Sequence, residues 1–193
     1  IRNIIYATHG HALILFTSYW LMEHIYYRIS ELITEYPLFI MSKGRLDILN
    51  DFRQSGNGVL FASDSAGEGI DLAGDILSAL VIVKLPFPIP NPVKEHQRSR
   101  YESAEADSRD GLLRFKQEVI IPEMLIKLRQ WVGRGIRSEE DTVVFSILDS
   151  RASSRGRYRG EILANLPTMP VTDRLEMVAQ FIRKHKPDDY FFS

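Results

Sequence analysis

Two arginines one helical turn apart are the residues of this sequence best suited to chemistry. In the segment LRQWVGRGIR, helical spacing places Gln130, Arg134 and Arg137 within roughly 60° of one another. Guanidinium groups at that spacing form a rigid cationic fork that suits a phosphate tail. Gly133 and Gly135 flank Arg134, and each glycine costs a helix about 1 kcal/mol relative to alanine, so close approach of backbone or ligand would explain them. A solvated polar helix face is the alternative.

A polar loop containing two glycines follows the third predicted strand and reads SDSAGEGID from Ser63 to Asp71. Its glycines, Gly69 among them, permit close backbone approach, and Ser63 and Ser65 offer hydroxyl groups. Glu68 and Asp71 are anions, so they suit an arginine or a ribose hydroxyl better than they suit phosphate. An ordinary strand-to-helix turn is the alternative, and a metal held by these two acids lacks a third ligand nearby in sequence.

Two more segments are candidate binding residues. Thr17 and Ser18 directly follow the first predicted strand, and open parallel sheets bind ligands beyond the carboxyl ends of their strands. Four arginines, with Arg155 and Arg157 in the middle, lie within residues 151–159 without an acid among them. Such a basic strip either grips phosphate or a neighbouring domain, or it is a solvated loop.

The elements that must position these residues alternate between strand-like and helix-like segments. The strands read as short, continuous apolar runs, which is typical of parallel sheets covered by helices on both faces, so we expect an α/β fold. The charged stretch around 94–116 predicts an exposed helical insertion after a proline cluster that ends the fourth strand. The strands are predicted at 12–16, 38–41, 59–62, 80–83 and 143–148, and the helices at 19–35, 45–53, 124–136 and 172–185.

The composition excludes several classes of protein. The chain has 193 residues, 45% of them hydrophobic, with a net charge of −1 and no cysteine. We therefore expect one core and, in this chain, no disulfide framework, thiolate zinc site or iron–sulfur cluster. The near-zero charge confines any nucleic-acid contact to local patches. The apolar runs are too short to span a bilayer, so we expect no membrane among the partners. His9 and His11 flank a glycine without further ligands nearby, which favours a surface turn over a metal pair.

Three of these segments, in this order and spacing, resemble the second motor domain (helicase C-terminal domain) of superfamily 2 DNA helicases of the XPD/DinG family. LILFTSY resembles motif IV, and LFASDSAGEGIDLAGD followed by LVIVKLPFPIPNPV resembles motif V with its proline-rich continuation. LRQWVGRGIRSEEDTVVFSILDSR resembles motif VI with the strand and Asp-x-Arg after it. The resemblance runs from about Leu13 to Pro167 and implies an α/β, RecA-like (P-loop NTPase-type) three-layer sandwich around a central, mainly parallel sheet.

The resemblance also implies roles for the candidate residues. In such motors ATP binds between two RecA-like domains, so Arg137 and Arg134 would be arginine fingers and Gln130 would contact phosphate or the attacking water. The motif V residues that would face the nucleotide and couple it to the nucleic-acid track are Glu68, Gly69 and Asp71. The residues that would donate hydroxyl hydrogen bonds to the phosphates of a single strand are Thr17, Ser18, Ser63 and Ser65.

Two motifs that such a motor needs do not occur in the sequence, the GxxxxGK[ST] P-loop and the Asp-Glu-x-His magnesium box. We therefore expect ATP and Mg²⁺ to be held mainly by a first motor domain of the same polypeptide. Residues 1–193 would be one RecA-like domain and a fragment of a longer helicase, and the fragment alone would be inactive. The whole helicase would act on single-stranded DNA, and a monomer is favoured. The resemblance places it in the cytoplasm with the nucleoid, or in the nucleus of a eukaryote.

The predicted function is the C-terminal motor domain of an ATP-dependent 5′-to-3′ DNA helicase. One alternative is a non-catalytic RecA-like module that binds nucleic acid or protein, and the intact Gln130, Arg134 and Arg137 favour the motor over it. Another alternative is a motor half from a different superfamily 2 branch, against which the LPFP segment favours the XPD/DinG family.

Overall fold

The computed structural model describes residues 1–42, 45–64, 77–136 and 142–191. The chain divides into two compact units, one formed by residues 1–84 with 131–193 and the other by residues 85–130. None of the helices in these described ranges has the length and apolar character that a membrane span needs.

The first unit is built on a five-stranded sheet in which every neighbouring pair is parallel. Its strand order is β2-β3-β1-β4-β5. The predicted α/β architecture is therefore confirmed, and each predicted strand boundary lies within one residue of the observed one. The strands are β1 (Ala12–Phe16), β2 (Leu38–Ile40), β3 (Val59–Ser63), β4 (Ala79–Ile82) and β5 (Val144–Ile147).

Burial along the strands follows their order in the sheet. Every residue of the three central strands, β3, β1 and β4, is buried, whereas both edge strands, β2 and β5, are partly exposed. Strand side chains alternate between faces, and Ala12, Ile14 and Phe16 of β1 pack on one face with Ile5 and Met22. Continuous apolar runs therefore mark strands that have neighbours on both sides and cover on both faces.

The helices were predicted less accurately, and their ends account for most of the difference. The predicted helix 19–35 ends at Ser30, and the Glu35 carboxylate accepts hydrogen bonds from the Tyr6 hydroxyl (2.8 Å) and the Thr34 amide (3.1 Å). The helix that precedes the first strand, residues 2–7, was not predicted. The helices are α1 (Arg2–Ala7), α2 (Tyr19–Ser30), α3 (Leu46–Gln54), α4 (Pro92–Ala104), α5 (Ser108–Phe115), α6 (Ile121–Val132), α7 (Arg159–Asn165) and α8 (Leu175–His185).

The second unit contains the charged stretch, which is helical. Helices α4 and α5 approach closely at Gly111, where a Cβ atom would lie 2.4 Å from the Tyr101 carbonyl oxygen. Around this contact, Arg114 pairs with Glu105 and Glu118, and Glu118 also accepts a 3.0 Å hydrogen bond from the Tyr101 hydroxyl. A single π-helical turn, Lys116–Ile120, joins α5 to α6.

Candidate functional site

The carboxyl edge of the parallel sheet brings together three of the predicted site residues. Phe16 of β1 pairs with Ser63 of β3, so Thr17 and Ser18, which follow β1, lie at the same edge as Ser63. Ser63 is 2% exposed, Thr17 is partly buried and Ser18 is exposed. Short hydroxyl side chains thus occupy the edge at which open parallel sheets bind ligands.

Ser18 has a structural task at this edge as well. It is the N-cap of α2, with an extended backbone (φ −142°, ψ 130°). Its Oγ accepts a 3.4 Å hydrogen bond from the Leu21 amide. An accepting hydroxyl keeps its own proton, so Ser18 can cap the helix and still donate to a ligand.

The arginines in the loop after β5 are of two kinds, paired and exposed. Asp149 is 3% exposed and binds the Arg151 guanidinium through two hydrogen bonds, Nε–Oδ1 at 2.9 Å and Nη2–Oδ2 at 2.6 Å. These bonds raise the pKa of the Arg151 guanidinium above its ordinary value. The Asp149 Oδ1 also accepts a 3.0 Å hydrogen bond from the Arg151 amide. Arg155 and Arg157 are exposed, and neither forms an ion pair within the described part of the chain. Arg151 therefore holds the loop, whereas Arg155 and Arg157 face solvent.

Gly156 makes this loop tight. A Cβ atom there would lie 2.3 Å from the Arg151 carbonyl oxygen, so a side chain at this position would open the loop. The Tyr158 amide donates to the same carbonyl at 2.9 Å, and Tyr158 is 3% exposed. Since strands lie about 4.8 Å apart and β4 separates β5 from β1, the loop begins about 10 Å from the end of β1.

The predicted helix 124–136 is wrong at its carboxyl end, because α6 ends at Val132. Gln130 is exposed on its last turn, and Arg134 is partly exposed in the turn that follows. Close packing explains Gly135, where a Cβ atom would lie 2.9 Å from the Phe145 ring. The chain therefore turns against β5 instead of continuing as a helix.

Some of the predicted site residues fall in ranges that the structure does not cover. The predicted residues outside the described ranges are Ser65, Glu68, Gly69, Asp71 and Arg137.

The opposite, amino edge of the sheet corrects the prediction for His11. His11 is 5% exposed, so it does not lie in a surface turn. Its ring stacks on Tyr190 with 4.1 Å between centroids, and His9 packs edge-on against Phe191 at 4.8 Å. No group of three or more His, Asp or Glu side chains that could hold a metal ion occurs among the described residues.

The pair formed by Asp149 and Arg151 was not predicted as a pair. The sequence shows Asp149 and Arg151 only as part of an Asp-x-Arg run, and Arg151 was grouped with the basic strip. An acid two residues before an arginine at the end of a strand is the signal that could have found it. The burial of Asp149, which makes the pair structural, is visible only in the fold.

A parallel α/β sheet with polar residues at its carboxyl edge defines a class of domain that binds ligands beyond the ends of its strands. Residues 1–169 match the Helicase C-terminal domain family, and the chain belongs to that family. The family prediction is thereby confirmed.

Curated relatives agree with this family. The chain is 34% identical over 186 residues to the ATP-dependent DNA helicase YoaA of Escherichia coli (strain K12), covering 94% of this chain and 28% of that protein. It is 35% identical over 164 residues to the ATP-dependent DNA helicase DinG of Photobacterium profundum, covering 81% of this chain and 22% of that protein. The chain therefore spans less than a third of the length of these relatives.

The fold is also similar to that of a solved XPD helicase structure, with a TM-score of 0.62 and 23% identity over 84% of this chain and 28% of that one. This likeness concerns the fold alone. It confirms the predicted RecA-like architecture.

Proposed function

We propose that this chain is the C-terminal motor domain of an ATP-dependent DNA helicase that moves 5′ to 3′ on single-stranded DNA. The observation that carries the proposal is the family match over residues 1–169. It is supported by relatives that are named ATP-dependent DNA helicases and by the hydroxyl-lined carboxyl edge of the sheet. The direction of movement rests on the XPD/DinG resemblance.

The nucleotide side of the proposal assigns Arg137 and Arg134 to the γ-phosphate of ATP. Positive charge at this phosphate stabilises the charge that develops in the transition state, and an arginine finger is worth about 10³- to 10⁵-fold in turnover. Gln130 would contact the phosphate or the attacking water. Arg134 is partly exposed in the turn after α6.

The rest of the nucleotide site would come from a first motor domain of the same polypeptide. This sequence contains no P-loop and no Asp-Glu-x-His box, so the phosphate cradle and the Mg²⁺ ligands would lie in that domain. Mg²⁺ bound there would neutralise the charge of the phosphates. From this chain, Glu68, Gly69 and Asp71 would face the nucleotide and couple it to the nucleic-acid track.

The nucleic-acid side of the proposal uses the carboxyl edge. Thr17, Ser18 and Ser63, joined by Ser65, would donate hydrogen bonds to the phosphates of a single strand without reading its bases. Arg155 and Arg157 are exposed on a loop that Asp149 holds closed. Each would neutralise a phosphate, which makes this part of the binding sensitive to salt.

Arg137→Ala in the full-length protein tests the nucleotide side. We expect its ATP turnover in the presence of single-stranded DNA to fall about 10³-fold or more, because the transition state loses a positive charge. DNA affinity should stay within about twofold of wild type. Arg174→Ala, which removes an exposed arginine next to α8, is the matched control and should turn over ATP normally. Turnover by Arg137→Ala within about threefold of wild type would refute the arginine-finger role.

Calorimetry on the 193-residue chain tests the assignment of the phosphate cradle to another domain. We expect no ATP binding at about micromolar affinity, because backbone amides and the lysine of a P-loop supply most of the phosphate contacts in this class. Binding at about micromolar affinity would show that this chain cradles the phosphates by itself.

A further inference from the structure

Helix α2 carries an exposed row of aromatic and cationic side chains. Trp20 is 69% exposed and Tyr27 is 59% exposed, and His24 and Arg28 are exposed as well. At 100° per residue, positions 20, 24, 27 and 28 fall within about 100° of one another on the helix. We call Trp20, His24, Tyr27 and Arg28 the aromatic stripe.

The first ring of the stripe is held in place by its neighbour. The Trp20 and His24 rings are parallel, with 5.5 Å between centroids and 5° between planes. The imidazole covers one face of the indole, and the 69% exposure of Trp20 leaves the opposite face open to solvent. A flat ring that is already oriented loses little entropy when another ring stacks on it.

The second ring is also supported from behind. Tyr27 packs edge-on against Tyr26, with 5.6 Å between centroids. Tyr26 packs against Phe61 of β3 at 5.4 Å, which anchors it on the sheet. Seven residues separate Trp20 from Tyr27, so the two rings lie about 10 Å apart along the helix.

The position of the stripe identifies what it would bind. Helix α2 begins directly after Ser18, so the stripe starts at the carboxyl edge where the single strand is proposed to run. Every nucleic-acid base has a flat face, and proteins that hold single strands combine aromatic stacking with cationic contacts to phosphate. Arg28 supplies the cation one turn beyond His24, and Glu31 ends the stripe with an exposed anion.

We propose that the aromatic stripe is a base-stacking platform for single-stranded DNA, with Trp20 as its principal ring. Trp20 stacks on one base, Tyr27 contacts a base further along the strand, and Arg28 binds a phosphate between or beside them. The stripe thereby adds base contacts, tolerant of sequence, to the phosphate contacts of Thr17 and Ser18. This inference rests on the proposed binding of a single strand at the carboxyl edge.

The test compares two oligonucleotides of equal length and charge, oligo(dT) and an abasic strand, binding to the full-length protein without nucleotide. We expect Trp20→Ala to weaken oligo(dT) binding about 10-fold and to leave binding of the abasic strand unchanged. Trp20→Phe should restore most of the affinity, because it keeps a flat ring. Phe181→Ala is the matched control, since Phe181 pairs with His185 at the same spacing on α8, and it should bind both strands as wild type does.

Salt dependence separates stacking from charge. Arg28→Gln should weaken binding of both oligonucleotides equally and lower the slope of log affinity against log salt by about 1. Trp20→Ala should leave that slope unchanged. A slope lowered by Trp20→Ala would mean that the substitution disturbs phosphate contacts, and it would overturn the platform.

Tryptophan fluorescence gives a direct readout of the indole. The chain has two tryptophans, and Trp131 is only 1% exposed, so the difference in emission between wild type and Trp20→Phe reports Trp20. Oligo(dT) should quench this difference signal, and iodide should quench it in the DNA-free protein. A signal that iodide cannot reach would show that another part of the polypeptide covers Trp20, which would overturn the proposal.

The outcomes distinguish this inference from the function on which it rests. If wild type binds oligo(dT) and Trp20→Ala binds it equally well, the platform is refuted while the proposed function stands. The platform is refuted in the same way if Trp20→Ala loses the same factor on both strands. If wild type binds neither strand, the proposed function fails and the platform with it.

Discussion

The two edges of the parallel sheet use similar polar residues for opposite purposes. At the amino edge, Thr8 is fully buried, and its carbonyl oxygen accepts a 2.5 Å hydrogen bond from the Tyr190 hydroxyl. At the carboxyl edge, Ser18 is exposed and so are Arg155 and Arg157. Thr8 and Tyr190 at the amino edge thus join distant parts of the chain, whereas Ser18, Arg155 and Arg157 at the carboxyl edge face solvent. Hydrogen-bonding capacity left exposed on a rigid sheet is what a ligand can use.

Gly10→Ala should have the largest effect, because it disrupts the close packing at the amino edge. Gly10 has a φ of +76°, and a Cβ atom there would lie 1.9 Å from the Asn57 carbonyl oxygen. Backbone strain and the clash together should lower the free energy of unfolding by about 3 kcal/mol. Urea unfolding measures the loss.

The matched control for this change is Gly160→Ala. Gly160 lies in α7, and nothing is within 4 Å of its Cβ position. Alanine there should leave stability unchanged or raise it by about 0.5–1 kcal/mol, because alanine favours the helix. Equal losses in the two variants would contradict the close packing at Gly10.

Asp149→Ala should have the next largest effect and tests whether part of the carboxyl edge is structural. The substitution removes three hydrogen bonds, two from the Arg151 guanidinium and one from its amide, at a position that is 3% exposed. Since the Arg151 side chain is 46% exposed and regains water, we expect a loss of about 1–2 kcal/mol in the free energy of unfolding.

The control is a pair with the same geometry on the surface. Arg45 and Asp47 also lie 2.6 Å apart, but their side chains are 60% and 56% exposed. Asp47→Ala should leave the unfolding midpoint unchanged, because solvent screens the pair. If Asp149→Ala and Asp47→Ala lower the free energy of unfolding equally, burial does not make the Asp149–Arg151 pair more stabilising than the surface pair.

Two substitutions at Ser18 separate its role as a helix cap from its proposed role in binding DNA. The cap is worth about 1 kcal/mol of stability. Ser18→Ala should destabilise the fold by that amount, because α2 loses its N-cap. Ser18→Asp keeps the cap and should unfold at the same midpoint as wild type, but its negative charge repels phosphate. We therefore expect Ser18→Asp to weaken single-stranded DNA binding several-fold at about 50 mM salt. Unchanged DNA affinity in this variant would refute the phosphate contact at Ser18.

The smallest effect is a pH dependence at the amino edge. Burial lowers the pKa of His9, and the charge of Arg183 lowers it further; Arg183, Asp188 and Phe191 line a cavity beside the ring. The unfolded chain therefore binds a proton at His9 more tightly than the folded one. This contribution to stability is fully present above the ordinary histidine pKa of about 6.5 and is lost as the pH falls below it.

The variant His9→Asn isolates this effect, because asparagine tolerates the positive φ of 51° at this position. The drop in unfolding midpoint between about pH 7.5 and about pH 5 should be smaller in His9→Asn than in wild type. An identical drop would show that His9 does not contribute to the pH dependence.

Sequence reasoning succeeded where the signal is local. The continuous apolar run at residues 12–16 predicts β1 because a strand buried on both faces contains little else. Ser18 lies just after this strand, and serine is among the residues preferred at a helix N-cap. The family was recognised because its motifs are short runs in a set order and spacing.

It failed where a distant residue decides the local structure. Helix α6 ends at Val132, directly before Gly133. Glycine often ends a helix, but Gly133 was interpreted as allowing close approach within one, and the packing of Gly135 against the Phe145 ring is visible only in the fold. Trp20 was predicted to lie in a helix and was given no role. Periodicity shows which side of a helix is buried, but it does not show what the exposed side binds.

The sequence alone was enough to predict the elements of the sheet, the helicase family and the types of residue that follow each strand. These depend on periodicity and composition, which act over a few residues. The tertiary structure alone decided that Ser63 lies beside Phe16, that Asp149 is buried and that Tyr190 binds Thr8 across a separation of 182 residues. Such contacts arise when the whole chain packs, because burial and hydrogen bonding between distant segments depend on all the elements together.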